Sequence, residues 1–276
     1  MTPEDPGDRP IDDLIDDPID AEALRQRLVG ADRYWRRVDV VAVTGSTNAD
    51  LIARARAGEA PGVALVAGYQ AAGRGRRGRT WTAPPGSSVA ISALVQPREM
   101  PVARWTWLPL LAGMAVVEGV RALAGVTARL KWPNDVLVEG RKLCGILVER
   151  VETPAGPMAV VGMGVNVRLS AAELPVSTAT SLALLGLPAV PGRTEVAAAV
   201  LTALEQALAG WTADPAGATD AYRAVSDTVG RPVRVLLTDD RTVEGRATGV
   251  DGEGRLVLDT AAGPYVVGAG DVMHLR

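Results

Sequence analysis

The chain has 276 residues, 47% of them apolar, and a formal charge of −3 from 29 basic and 32 acidic residues. That is enough apolar material for one large core with a small appendage, and the acidic balance excludes the global basic excess on which non-specific nucleic-acid binding rests. The single cysteine, Cys144, excludes an internal disulfide and a cysteine-cluster metal site, and the single histidine, His274, is the sole imidazole for any histidine-based nucleophilic apparatus.

Residues 1–20, "MTPEDPGDRPIDDLIDDPID", are acidic and proline-bearing, the opposite of a signal peptide with its cationic start and apolar middle, and read as a disordered, solvated tail. "DAEALRQRLVG" has helical apolar spacing between Asp20 as N-cap and Gly30 as stop. "WRRVDVVAVTG" alternates like a strand, Ser46, Thr47 and Asn48 offer caps to a helix ending near Gly58, and "GVALVAGYQ" is a buried strand. Beyond a glycine-arginine loop, "SSVAISALV" is a further strand, and "VARWTWLPLLAGMAVVEGVRALAG" reads as one long helix with Pro109 in or near its first turns. Its apolar run from Trp107 to Val117 is shorter than the roughly 20 residues a bilayer span needs, so no membrane partner is expected. "VLVEGRKLCGILVERV" is a hairpin with Gly140 in the turn, "PMAVVGMGVNVRL" another strand, and "TEVAAAVLTALEQALAGW" a second long helix. From Gly230, four short apolar runs separated by "TDD", "DGEG" and "AAG" indicate a small β-barrel, with His274 a structural residue on its last strand. The fold class is α+β, with residues 21–228 as one domain and 229–276 as the barrel.

The loop "GYQAAGRGRRGRTWTAPPG", residues 68–86, matches two nucleotide-binding expressions. Gly73, Gly75 and Gly78 satisfy G-x-G-x-x-G, and Gly73 to Thr80 approximates a P-loop with arginine in place of lysine. Both need a helix that starts in the loop and points its N-terminus at phosphate, and Pro84–Pro85 deny that helix. What remains is a loop whose glycines let backbone approach a ligand and whose Arg74, Arg76, Arg77 and Arg79 offer forked donors to phosphate or carboxylate. Such a loop repels itself when empty and closes over an anion, with Trp81 placed to stack on a planar group; the bland alternative is a solvated basic turn. Lys131 and Lys142 lie on apolar strands, where an ammonium is costly without an anionic partner, although each taken singly also fits a turn or hairpin-tip charge. Gly162, Gly164 and Asn166 interrupt another apolar strand, which marks either close approach by a ligand or a bulge.

Together, Ser46-Thr47-Asn48, "GYQAAGRGRRGRTW", "KWPNDVLVEGRKLCGILVE", "VVGMGVNV", "TATSL" at 178–182 and the terminal barrel resemble the biotin protein ligases. The resemblance implies a class II aminoacyl-tRNA synthetase-like mixed sheet with helices, plus an SH3-like C-terminal domain. It implies ATP, biotin and Mg²⁺ as ligands, a biotin carboxyl carrier domain as partner, and a cytoplasmic enzyme acting through biotinyl-5′-AMP. Ser46, Thr47 and Asn48 then meet the ureido head of biotin; Gln70, Arg74, Gly75 and Arg76 border the ligand and its carboxylate; Gly145 and Gly162 keep the groove floor thin. Lys142 bridges carboxylate and α-phosphate, with Arg76 and Lys131 as further catalytic cations. Trp81 and Asn166 meet adenine, Arg77, Arg79 and Asn134 complete the nucleotide side, and Asp135 helps place Mg²⁺. With fewer than 46 residues before Ser46, the expected type is the ligase alone, a monomer or weak homodimer without sequence-specific DNA binding. The rivals are a lipoate ligase of the same fold and a nucleic-acid-binding protein using "RGRRGR" as a backbone clamp.

Overall fold

A seven-stranded mixed sheet runs in the order β1 (Arg37–Thr44), β2 (Val63–Gln70), β3 (Ser88–Val95), β7 (Met158–Asn166), β6 (Arg141–Val151), β5 (Asp135–Val138) and β4 (Arg129–Lys131) in this computed structural model, which describes residues 17–275. β1 and β2 are parallel, joined through helix α2 (Thr47–Arg56), and every other neighbouring pair is antiparallel. Residue parity assigns the two faces. Ala64, Val66, Ile91, Ala93 and Val161 join α1 (Ala21–Leu28), α3 (Leu108–Ala124) and α4 (Arg193–Ala213) in the main core, whereas Val63, Leu65, Leu94 and Val160 pack under Leu51 and Ala55 of α2. Burial on both faces is why these strands read as continuous apolar runs.

Three expectations need correction. The long helix begins at Leu108, with Val102–Trp107 wound as a 3-10 turn, because Pro109 has no N–H to close an α-helical turn back onto Trp105. Residues 1–16 of the expected tail lie outside the described residues, and residues 17–20 are tied to the fold, with Asp17 and Ile19 half-buried and Pro18 and Asp20 exposed. Asp17 accepts from the backbone N–H of Arg193 at 3.0 Å and from Arg168 Nε at 3.1 Å, meeting the positive end of α4, while Asp20 caps α1 and donates its own N–H to Thr194 Oγ1 at 3.0 Å. Third, the barrel has five strands, since its last apolar run breaks at 268–269 into two.

Those strands form an antiparallel sheet in the order β11 (Gly263–Val267), β10 (Leu256–Thr260), β9 (Thr242–Val250), β8 (Pro232–Leu237) and β12 (Gly270–His274). Two tryptophans join it to the large domain, Trp107 ahead of α3 donating its indole N–H to Gly252 O at 3.1 Å and Trp132 after β4 donating its own to Gly254 O at 3.2 Å. His274 lies 3.6 Å from Asp227 and 3.1 Å from Thr228 Oγ1, which accepts the backbone N–H of Trp132 at 3.0 Å. Helix α5 (Pro215–Val225) was not anticipated, although Asp214 and Pro215 form a start signal and Ala218, Tyr222 and Val225 recur at helical spacing against the core. The two helical stretches long and apolar enough to span a bilayer, Val102–Ala124 and Arg193–Ala213, contribute their apolar sides to the core.

Candidate active site

On β7, Val160, Gly162 and Gly164 point to the same face of the sheet and meet three different neighbours. Val160 supports α2, Gly162 lies beneath the side chain of Asn48 at the start of α2, and Gly164 lies beneath the Trp81 indole. A Cβ on Gly164 would stand 2.6 Å from Trp81 Cε2, and one on its cross-strand partner Gly145 would stand 2.9 Å from Trp81 Cζ3. The strand glycines are therefore low because side chains of the chain itself lie across them. Beyond these side chains opens a cavity of ≈ 200 Å³, walled by the N-terminus of α2, the glycine-arginine loop, the β4–β6 strands and the edge of β12.

The α2 end of the cavity is a fixed polar lattice. Thr47 donates from both N–H and Oγ1 to Gln70 Oε1, at 2.9 and 3.0 Å. Asn48 Nδ2 donates to Leu147 O at 3.2 Å and Glu149 Oε2 at 2.9 Å, and its Oδ1 lies 2.6 Å from Ser92 Oγ. Ser92, fully buried on β3, also touches Thr47 Oγ1 at 2.7 Å. Buried polar groups with partners in place hold one rotamer, so this end presents pre-set donors and acceptors.

The loop is a closed turn, tied by Gly75 N–H to Arg79 O at 2.6 Å and by Trp81 N–H to Gly73 O at 2.9 Å. Arg77 adopts a left-handed conformation (φ 55°, ψ 39°) followed by Gly78 at φ 71°, so the chain reverses within three residues and no helix starts there, as the prolines require. One of its guanidiniums meets Glu149 and the other three gather on the side of Asp271. Arg74 meets Glu149 Oε1 at 3.1 Å, Arg76 donates to Asn134 Oδ1 at 2.9 Å, and Arg79 grips Asp271 of β12. Burial pushes Arg76 below the ordinary arginine range, with Asp271 opposing the shift and Arg79 adding to it.

The segment "KWPND" turns the chain from β4 into β5 through a cis Trp132–Pro133 bond. Asn134 is pinned to β6 by its Nδ2 donating to Ile146 O at 2.9 Å and by its carbonyl accepting the Ile146 N–H at 2.9 Å. Between β5 and β6 the register slips: Val136 faces Cys144, but Leu137 faces Lys142. Without that bulge, Lys142 and Gly145 would point to opposite faces; with it, Lys142 turns into the cavity. Its Nζ lies 2.5 Å from Asp135 Oδ1 and 5.9 Å from the centre of the Trp81 ring. Its backbone is clamped by the "TATSL" segment, N–H to Thr178 O at 2.7 Å and O to Thr180 N–H at 2.8 Å. Lys131 reaches the same cavity and has no carboxylate within 4.0 Å among the described residues. These two are the only lysines in the chain.

Every sequence-expected site residue lines this cavity except Arg77 and Asn166. Arg77 points toward Asp240 and Asp271, at 3.4 and 3.6 Å. Asn166 is buried behind the lining, its Nδ2 donating to Thr180 O at 2.9 Å, where it steadies the segment that clamps Lys142. Ser92, Glu149 and Asp271 were missed. Ser92 carried a signal, a hydroxyl inside an apolar strand, and so did Glu149, which closes the quoted "KWPNDVLVEGRKLCGILVE" stretch and shares a strand face with Gly145; Asp271 carried none, since alternation alone makes it a solvent-facing charge. Cys144 takes no part: burial pushes its thiol up to about 12.

Fold and cavity together define a mixed-sheet protein whose cavity is walled by a polar helix start, a basic loop and two lysines, a lining of the charge that suits a small anionic molecule. The chain matches the biotin/lipoate A/B protein ligase family over residues 40–166 and the biotin protein ligase C-terminal domain over residues 228–275. The biotin–[acetyl-CoA-carboxylase] ligase of Mycobacterium tuberculosis is 46% identical over 269 residues, 96% of this chain and 98% of that one. The bifunctional ligase/repressor BirA of Escherichia coli is 33% identical over 225 residues, 80% of this chain and 69% of its own length. A solved biotin protein ligase from Aquifex aeolicus, in complex with biotin and ATP, aligns with a TM-score of 0.74 at 26% identity, over 88% of this chain and 100% of that one. The chain belongs to the biotin protein ligase family.

Proposed function

We propose that this chain attaches biotin to a lysine of a carboxylase carrier domain in two steps. A biotin carboxylate oxygen attacks the α-phosphorus of ATP, the bond from that phosphorus to the bridging oxygen breaks, and pyrophosphate leaves. The neutral ε-amine of the carrier lysine then attacks the acyl carbon of biotinyl-5′-AMP, AMP departs, and the amine proton passes to solvent. The first nucleophile is already ionised near neutral pH, so the step calls for orientation and charge cancellation rather than a histidine base, which suits a chain whose one histidine is built into the C-terminal sheet.

The observation that carries this reading is Lys142, turned into the cavity by a β-bulge and backed by Asp135 and Trp81. On this reading the lattice of Thr47, Asn48, Ser92 and Gln70 receives the ureido head, Arg74, Gly75 and Arg76 border the carboxylate, and Lys142 sits between carboxylate and α-phosphate. Lys131, without an acidic partner within ion-pair distance among the described residues, attends the phosphates. The Trp81 indole lies over Gly145 and Gly164 with its Nε1 buried and without a protein acceptor, and on this reading the ring lies against the base. Asp135, at the cavity wall beside Lys142, is the carboxylate that would hold a Mg²⁺ carried on nucleotide phosphates, and the ion would supply neutralisation of phosphate charge there. Carrier domains and ATP are met in the cytoplasm, where we place the protein.

The test is single-turnover formation of biotinyl-5′-AMP from biotin and ATP, with lipoate as the competing acid. Lys142→Ala is expected to fold normally and form adenylate at least about 10²-fold more slowly, on the scale of losing one transition-state charge contact. Wild-type rates in that variant, or adenylate formed from lipoate in preference to biotin, contradict the assignment.

A further inference from the structure

Three of the four loop guanidiniums converge on one carboxylate that belongs to the other domain. Arg79 Nη2 lies 3.1 and 3.2 Å from the two oxygens of Asp271, Arg77 Nη1 lies 3.6 Å away, and Arg76 Nη1 lies 3.7 Å away. Arg76 also reaches the Gly270 carbonyl at 3.4 Å. Asp271 is held in register by its pairing with Leu236 of β8, and it lines the same cavity as Lys131 and Lys142. One negative charge cannot neutralise three guanidiniums, so the cluster keeps a surplus of positive charge at the cavity wall. A carboxylate at that position also repels any polyanion that enters. The pairs are partly exposed to solvent, which makes each weak and exchangeable.

We propose that Asp271 is a positioning residue that holds the glycine-arginine loop against the C-terminal domain until a polyphosphate takes over its arginines, so that this domain sets how readily nucleotide enters. The inference rests on the reading of the cavity as the ATP site. Phosphate oxygens accept the guanidinium donors in place of the carboxylate, and the loop transfers from β12 to the nucleotide without leaving its charge unpaired.

Trypsin, which cuts after arginine, reads the hold directly in the full chain without any ligand. Asp271→Asn is expected to speed cleavage within the loop by about threefold to tenfold and to tighten ATP binding, measured without biotin, by a similar factor, the scale of a few exposed ion pairs. Asp271→Glu is expected to return both toward wild type. Asp240→Asn, which removes an exposed carboxylate meeting Arg77 alone, is expected to change neither. A folded Asp271→Asn chain with wild-type cleavage and wild-type ATP affinity overturns the proposal. If that variant does not fold, the wild type still decides: raising salt from about 0.05 to about 0.5 M screens the pairs and is expected to speed loop cleavage, and salt-independent cleavage sinks the hold. A wild-type chain that binds no ATP overturns the nucleotide reading and the exchange with it, while the cleavage difference still judges the hold by itself.

Discussion

At the scale of single residues, the site is shaped by what glycine leaves room for. A Cβ on Gly162 would stand 2.3 Å from Asn48 Oδ1 and 2.9 Å from its Cγ, so Gly162→Ala must push Asn48 out of the contact it makes with Ser92. Overpacking of this kind costs about 1–3 kcal/mol locally, and the expected outcome is a biotin dissociation constant raised about tenfold or more with a melting temperature within a few degrees of wild type. Calorimetric titration with biotin checks it, and unchanged affinity would remove Asn48 from the binding lattice. The sequence marked Gly162 and Gly164 as places of close approach, but it could not say what approaches. A missing Cβ records only that space is needed; that the occupants are Asn48 and Trp81 follows from where α2 and the loop come to rest. The lysines were more legible than their individual settings suggested, because among 29 basic residues only Lys131 and Lys142 are lysine, and both reach the cavity.

At the scale of elements, alternation explains most strand faces and fails at one decisive place. "RKLCGIL" is apolar on both faces around the bulge, so no pattern in it shows that Lys142 and Gly145 share a side. The stems of the glycine-arginine loop depend on an equally hidden device. Arg193, fully buried at the start of α4, donates Nη1 to Gly68 O at 3.0 Å near the end of β2 and to Ser88 O at 3.2 Å at the start of β3, with Nη2 donating to Asp17 O. It thus pins both ends of the segment that carries the arginines. Arg193→Met keeps the bulk but leaves buried carbonyls without donors, and is expected to cost about 3 kcal/mol or more in chemical denaturation while also slowing adenylate formation. Loss of less than about 1 kcal/mol would mean that water replaces the guanidinium. From sequence, Arg193 is one more charge at a helix start; only the assembled fold buries it.

At the scale of the whole molecule, the two sheets act together. Strand spacing and turn residues indicated the appendage as a small β-barrel, yet its part in the site, through Asp271 and Val272 at the cavity wall, depends on docking that no local pattern encodes. His274 is at that junction. Burial holds its imidazole below the ordinary 6.5, with Asp227 opposing and the neighbouring Lys131 and Arg231 reinforcing the shift. The unfolded chain therefore takes up this proton first as pH falls, so the stability tied to neutral His274 is complete above about pH 6.5 and is lost as pH drops toward the lowered folded value. The wild type is expected to lose more melting temperature than His274→Gln between about pH 7 and about pH 5, and parallel pH profiles would show that the imidazole stays exposed in solution. The central claim concerns the joined machine, and labelled biotin tests it most directly when mixed with ATP, the full chain and a biotin carboxyl carrier domain. The account predicts label bound covalently to one carrier lysine, with AMP and pyrophosphate formed in equal amounts and none of this with Lys142→Ala. A carrier that stays unlabelled while the chain binds biotin and ATP, or labelling that survives the loss of Lys142, would contradict it.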